Sequence, residues 1–209
     1  AAAGGAAGGT ATTHPAEQLG AAGLKVARFK TGTPPRIDGR SVNAEGLDRQ
    51  ESEIEQFDYT WSHFWPASRR DASGATRHPA QLPCLITFLG AAGMSIIQEH
   101  IAESAMYGGA IASRGPRYCP SVEDKIVKFP GAERHQLFLE PEGHDTHELY
   151  VNALSTSLPA PVQLDLLCSV PGLEHVRTAR PGALTRDEHL PPYRLHSTPY
   201  VTAGPGGLI

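Results

Sequence analysis

The stretch GPRYCPSVEDK at residues 115–125 concentrates more chemistry than any other part of the chain. Arg117 can fork onto a phosphate or a carboxylate. Cys119 lies between Arg117 and Lys125, and neighbouring cations favour the thiolate. Glu123 and Asp124 follow as candidate general acid or base. Gly115, Pro116 and Pro120 give the stretch its turns, and loops on a rigid scaffold are where binding chemistry concentrates. A plainer reading is a small buried thiol beside a salt-bridge cluster. The residue types alone leave both readings open.

A second stretch, KTGTPPR at residues 30–36, could cradle an anion. Thr31 and Thr33 offer hydroxyls, and Gly32 lets backbone approach a ligand closely. A nest of amides there would favour phosphate, with Lys30 and Arg36 flanking it. The alternative is a strand-ending turn with solvated cations. The stretch lacks the GK[ST] ending of a Walker A loop, and no GxGxxG follows a strand anywhere in the chain. A third stretch, HQLFLEPEG at residues 135–143, ends in Glu140, Glu142 and Gly143, carboxylates at a strand end or an ordinary acidic turn. His135, His144 and His147 surround it without a recognised metal spacing, which favours surface histidines and no metal. Cys84, Cys119 and Cys168 form neither a CxxC pair nor a zinc pattern, so a reducing compartment is the simpler expectation.

These residues need elements to hold them. Residues 1–13 are uncharged, low in complexity and expected to be disordered. Residues 14–22 predict a short helix stopped by Gly23. Leu24, Val26 and Phe29 predict a strand running into a tight turn over residues 31–35. Residues 38–79 read as a polar meander pinned by Phe57, Tyr59, Trp61, Phe64 and Trp65. Residues 82–89 predict a buried strand, and residues 94–106 a helix with Ile96, Ile97 and Ile101 on one face. Strands are expected over 122–129, 136–139 and 148–154, a helix over 161–170, and a strand-like end to 172–180. Residues 183–209 show no clear period.

The chain has 209 residues and a net charge of −4, so it can bury a core but has no global basic field to attract nucleic acid. Any RNA contact must come from a local patch. Lys25, Arg28, Lys30, Arg36 and Arg40 form one candidate group; Arg114, Arg117, Lys125, Lys128 and Arg134 form another. Gly and Pro are abundant, as expected of a turn-rich α/β chain. No apolar run approaches the roughly 20 residues that span a bilayer.

Taken in order, KTGTPPRIDGR, GPRYCPSVEDK, HQLFLEPEG and STSLP resemble the MnmG/GidA family of flavoproteins that modify the wobble uridine of certain tRNAs. The resemblance covers about residues 19–181 and implies an α/β fold with a mixed sheet, the central or inserted part of a Rossmann-type FAD-dependent protein. It implies a division into residues 1–13, a central region 14–182 and a divergent Pro/Gly-rich tail 183–209. It implies FAD and NADH as cofactors, a folate one-carbon donor, tRNA and an MnmE-type GTPase as partners, and allows a homodimer. By the resemblance, Gly115, Pro116, Arg117, Tyr118, Cys119, Pro120, Ser121, Glu123 and Lys125 belong to a nicotinamide-binding segment. Lys30, Thr31, Gly32 and Thr33 complete the expected cofactor contacts, and Lys30, Arg36, Arg40, Arg117 and Lys125 the expected RNA contacts. Cys119 is the expected nucleophile toward the uracil ring, with Glu123 or Asp124 handling protons. The Gly-rich FAD fingerprint that opens the family is missing, so this chain alone is expected to bind FAD weakly and to be inactive, or to be a scaffold that has lost the flavin site. The wording FPGAERHQLFLEPEG resembles mitochondrial members.

Overall fold

The computed structural model describes residues 14–52, 80–109 and 121–191. Helix α1 (His14–Ala21) ends as the sequence predicts. Gly23 takes a φ of +80°, its N–H reaches Gly20 O at 3.0 Å, and the Leu24 N–H reaches Leu19 O at 3.0 Å. These two bonds satisfy carbonyls that the last turn leaves open, the pairing of a glycine-terminated helix.

Among the described residues eight strands follow: β1 (Ala27–Thr33), β2 (Arg36–Asp38), β3 (Asp48–Gln50), β4 (Cys84–Leu89), β5 (His135–Pro141), β6 (Glu148–Asn152), β7 (Thr178–Arg180) and β8 (Ala183–His189). Six make one sheet in the order β3-β4-β5-β6-β2-β7, and β1 with β8 makes a separate two-stranded ribbon. The α/β class expected from the sequence holds. Every ladder is antiparallel, however, where a mixed sheet was expected.

Register explains the core. Leu85 lies opposite Leu139, Thr87 opposite Leu137, Leu139 opposite Val151, and Ile37 opposite Leu149. With a side-chain period of two, these residues share one face of the sheet. Helices α2 (Ala91–His100), α3 (Val122–Lys128) and α4 (Ala160–Cys168) supply Ile97, Val122, Ile126, Val162, Leu166 and Leu167 to the same cluster. Fully burying one such leucine or isoleucine contributes about 1.5–3 kcal/mol. The opposite face carries Phe88 and Tyr150, each under an arginine: Arg134 lies 3.9 Å from the Phe88 ring centre and Arg36 5.0 Å from that of Tyr150.

Four expectations need correction. Residues 122–129 are not a strand: Val122–Lys128 is helix α3. Ile126 and Val127 suggest a strand by type, but Ser121 caps a helix there, its Oγ accepting the Asp124 N–H at 3.2 Å. Glu123 and Asp124 sit in the first turn and Lys125 and Lys128 in the last, the charge order a helix dipole favours. Thr31 to Thr33 are not in a turn, because β1 runs through them, and Pro34 and Pro35 carry the chain on into β2 without a change of register, Thr33 lying opposite Ala183 and Arg36 opposite Arg180. The helix expected over 94–106 starts at Ala91 and ends at His100, giving way to a 3-10 turn over Ile101–Glu103. Residues 183–189, aperiodic in sequence, form β8. The aromatics expected to pin residues 38–79, from Phe57 to Trp65, lie outside the described residues.

Candidate functional site

Three stretches that are far apart in sequence meet along residues 153–158. This segment leaves β6 through Ala153, a non-glycine residue with φ of +71°. That conformation costs about 1–2 kcal/mol and persists only where surroundings impose it. Here the Asn152 Oδ1 accepts the Ala153 N–H at 2.7 Å, and the Ala153 carbonyl accepts the Lys125 ammonium at 2.9 Å. Asn152 is itself held by Glu140, at 2.6 Å.

The first turn of α3 lies along this segment. The Val122 N–H, which no helical carbonyl can satisfy, donates to Ser155 O at 2.8 Å. Glu123 is 0% exposed, the only fully buried acidic residue among those described. Its Oε1 accepts from Thr156 Oγ1 at 3.0 Å, the Ser157 N–H at 2.9 Å and Ser157 Oγ at 3.2 Å. Its Oε2 is buried without a hydrogen-bond partner. Asp124 points elsewhere, accepting from the Tyr107 hydroxyl at 3.1 Å and pairing with Lys128 at 3.7 Å. Burial, and then the charges of Asp124 and Glu123, push the Tyr107 phenol up to about 12. Lys125 is held below the usual lysine range by burial. Burial and then the Lys125 charge lower His135 as well.

The KTGTPPR stretch reaches the same segment from the other side. Ser155 Oγ donates to Gly32 O at 3.3 Å. A Cβ on Gly32 would lie 2.9 Å from the Ser155 Cβ, so the glycine serves chain packing. The Thr31 hydroxyl meets Asp187 Oδ2 at 2.5 Å and the Thr185 hydroxyl at 2.7 Å. Residues 31–33 are laddered to 183–185, so the expected anion-binding turn is not formed. Pro35 O accepts the Val151 N–H at 3.1 Å, and Arg36 pairs with Glu142 at 2.7 Å. Thus the second and third stretches are joined directly.

Gln163, on the apolar α4, locks the far end. Its Nε2 donates to Leu158 O at 2.7 Å and Gly182 O at 2.9 Å, and its Oε1 accepts the Gly182 N–H at 2.7 Å. Sequence reasoning passed over it, although a lone amide inside PVQLDLL is a usable signal: a buried polar group must be hydrogen-bonded.

Of the expected site residues, Ser121, Glu123 and Lys125 are brought together here with Gly32. Gly115, Pro116, Arg117, Tyr118, Cys119 and Pro120 lie outside the described residues, as does Arg114. The expected basic strip is interleaved with acids, two of them distant in sequence. Arg28 pairs with Glu188 at 2.7 Å, Arg36 with Glu142, and Arg40 with Asp38 at 2.9 Å. Asp38 also receives Arg177 at 2.9 Å, beside an open cleft of about 470 Å³ lined by Arg40, His147, Glu148 and Thr178. Chiefly the hydrogen bond from Arg40 lowers the Asp38 carboxyl to about 2. Among the described residues no group of three or more His, Cys, Asp and Glu could hold a metal ion, and no helix is long and apolar enough to cross a membrane.

Comparison with known proteins places this geometry. The family model described as glucose inhibited division protein A matches residues 1–204. A tRNA uridine 5-carboxymethylaminomethyl modification enzyme MnmG from Streptococcus suis strain 05ZYH33 is 43% identical over 183 residues, covering 88% of this chain and 27% of that protein. The protein of the same name from Streptococcus agalactiae serotype Ia is 44% identical over 183 residues, 88% of this chain and 28% of the relative. The chain therefore spans just over a quarter of these relatives. Aquifex aeolicus GidA in its form I crystal superposes with a TM-score of 0.75 at 39% identity, covering 90% of this chain and 31% of that one. The form II crystal gives 0.74 at 35% identity, covering 96% and 30%. On the family match, the identity and the shared fold, the chain belongs to the glucose inhibited division protein A, or MnmG/GidA, family.

Proposed function

We propose that this chain is the central part of an enzyme that modifies carbon 5 of the wobble uridine in tRNA, using FAD and NADH, a folate one-carbon donor and an MnmE-type GTPase partner. The observation that carries the reading is the convergence of KTGTPPR, VEDK and STSLP on residues 153–158, in a family whose relatives bear that enzymatic name. Cys119 is the thiol assigned to addition at position six of the uracil, which activates carbon 5. It needs room for a flipped-out base. In this chain the described residues supply support: Ser121 and Glu123 fix the first turn of α3, to which residue 120 is joined, and Lys125 ties the helix to Ala153.

The described residues do not fit the phosphates of FAD. The β1 backbone is laddered to β8, Ser155 occupies the space over Gly32, and the Thr31 hydroxyl is engaged by Thr185 and Asp187. A flavin cradle belongs to other parts of the complete protein in this reading. This laddered, engaged stretch is also the observation that favours a second reading, an MnmG-like scaffold without flavin. Lys30, Arg36, Arg40, Arg117 and Lys125 are assigned to tRNA phosphates, with Arg36 leaving Glu142 for a phosphate. The resemblance of residues 129–143 to mitochondrial members supports a mitochondrial setting, while the relatives named above are bacterial. Fractionation separates the two.

The test uses the full-length protein that contains this segment. Flavin absorption in the purified protein and 5-substituted wobble uridine in tRNA, read by nucleoside mass spectrometry, support the enzyme. A colourless protein whose loss leaves the nucleoside profile unchanged overturns it in favour of the scaffold.

A further inference from the structure

We propose that Glu123 is a positioning residue, a buried clamp between α3 and residues 156–157, and not the group that moves protons. The inference rests on the enzymatic reading only for its kinetic arm.

A proton-transfer group must come within about 3 Å of the reacting atom, or one water away. Glu123 is 0% exposed, and its Oε1 is ringed by Thr156 Oγ1, the Ser157 N–H and Ser157 Oγ. Thr156 is 1% exposed, and its Oγ1 also accepts the Leu158 N–H at 3.2 Å, so the donor that faces Glu123 is itself fixed. On either side of the clamp, Val122 N–H to Ser155 O and Lys125 Nζ to Ala153 O continue the same seam. From the far side, the Ala105 N–H reaches Ser157 O at 3.2 Å. The carboxyl therefore holds chain to chain. Proton work falls to other groups.

The orphaned Oε2 makes the inference testable. Because that oxygen has no partner, replacing it with an amide NH2 breaks no hydrogen bond. Glu123→Gln keeps an oxygen for the three donors. Glu123→Asp keeps a carboxyl but withdraws it by one methylene, out of reach of them. A clamp predicts that Gln outperforms Asp; proton transfer predicts the reverse.

Glu123→Gln, Glu123→Asp and Glu123→Ala are made in the full-length protein. The readouts are kcat/KM for tRNA modification against pH, and hydrogen–deuterium exchange over residues 153–158. We expect Glu123→Gln to stay within about threefold of the parent with the same pH profile and protected amides. Glu123→Asp and Glu123→Ala should lose roughly tenfold or more and exchange faster at 156–158. An Asp variant more active than the Gln variant, or a pH limb lost in the Gln variant, overturns the proposal. If the Asp and Ala variants fail to fold, Thr156→Val removes a donor from the opposite side. It should speed exchange of the same peptide alike in the parent and in the Gln variant, which keeps the accepting oxygen, and unchanged exchange in both overturns the clamp. If the parent shows no tRNA modification, the enzymatic reading fails alone. Exchange then decides the clamp: protection in Gln and exposure in Asp support it, and identical exchange in all variants overturns it.

Discussion

Asp38 and Glu123 organise two regions of this chain in opposite ways. Asp38 sits beside an open cleft and gathers Arg40 and Arg177 around a carboxyl that is 16% exposed. Glu123 is fully buried and gathers no cation, only two hydroxyls and an amide. At the surface, charge meets charge in a high dielectric and salt screens the attraction. In the interior the donors are neutral and short-range, and leaving them unmade is costly. The first region is adjustable and the second is fixed, which suits a cleft edge and a buried seam respectively.

The contrast can be broken by substitution. Glu123→Ala strands three donors in the core and should destabilise the chain by about 3 kcal/mol in urea denaturation. Asp38→Ala should cost clearly less in the same experiment, although it frees two arginines. Equal losses would mean that burial does not separate the two carboxyls. Salt sharpens the difference. Raising NaCl to about 1 M shortens the Debye length to roughly 3 Å, so the Asp38→Ala deficit should shrink while that of Glu123→Ala persists.

Proton titration gives a smaller effect with a definite sign. The Asp38 carboxyl lies at about 2, below its ordinary 3.8. Its contribution to stability is therefore complete above pH 4 and is lost as pH falls through 2. His135 and Lys125 are lowered too, but these groups gain charge by protonation. For His135 the unfolded chain binds its proton first, so stability falls as pH drops below 6.5, and His135→Gln should remove that part of the slope. The least perturbing test is the Tyr107 phenol, expected by ultraviolet titration at about 12. In Asp124→Asn it should move down toward the ordinary value, remaining raised by burial.

Much of the fold was legible because its signals are local. Alternating Leu149 and Val151 give β6, Pro161 opens α4, and Gly23 closes α1. Helix α3 was misread because the β-branched pair Ile126 and Val127 outweighed the cap, Ser121, with an acid three residues on. Strand β8 was missed because ALTRDEH has no apolar alternation and takes its register from β1, far upstream. The site was legible as motifs but not as geometry. Nothing in VEDK says that Glu123 turns inward while Asp124 turns to Tyr107 and Lys128. Nor does the sequence near Arg36 reveal Glu142, which lies 106 positions away.

The β1–β8 ribbon joins residues 150 or more positions apart, as the Thr31–Thr185 contact at a separation of 154 shows. Contacts of such high order form slowly, since a long loop must close before they reward the chain. The sheet strands β4, β5 and β6 have nearer partners and can assemble first. The ribbon is therefore a late-closing clasp. A chain pulled from both ends would bear the load first on Ala27–His189 and peel those pairs in sequence toward Thr33–Ala183, leaving the sheet intact until the clasp has opened.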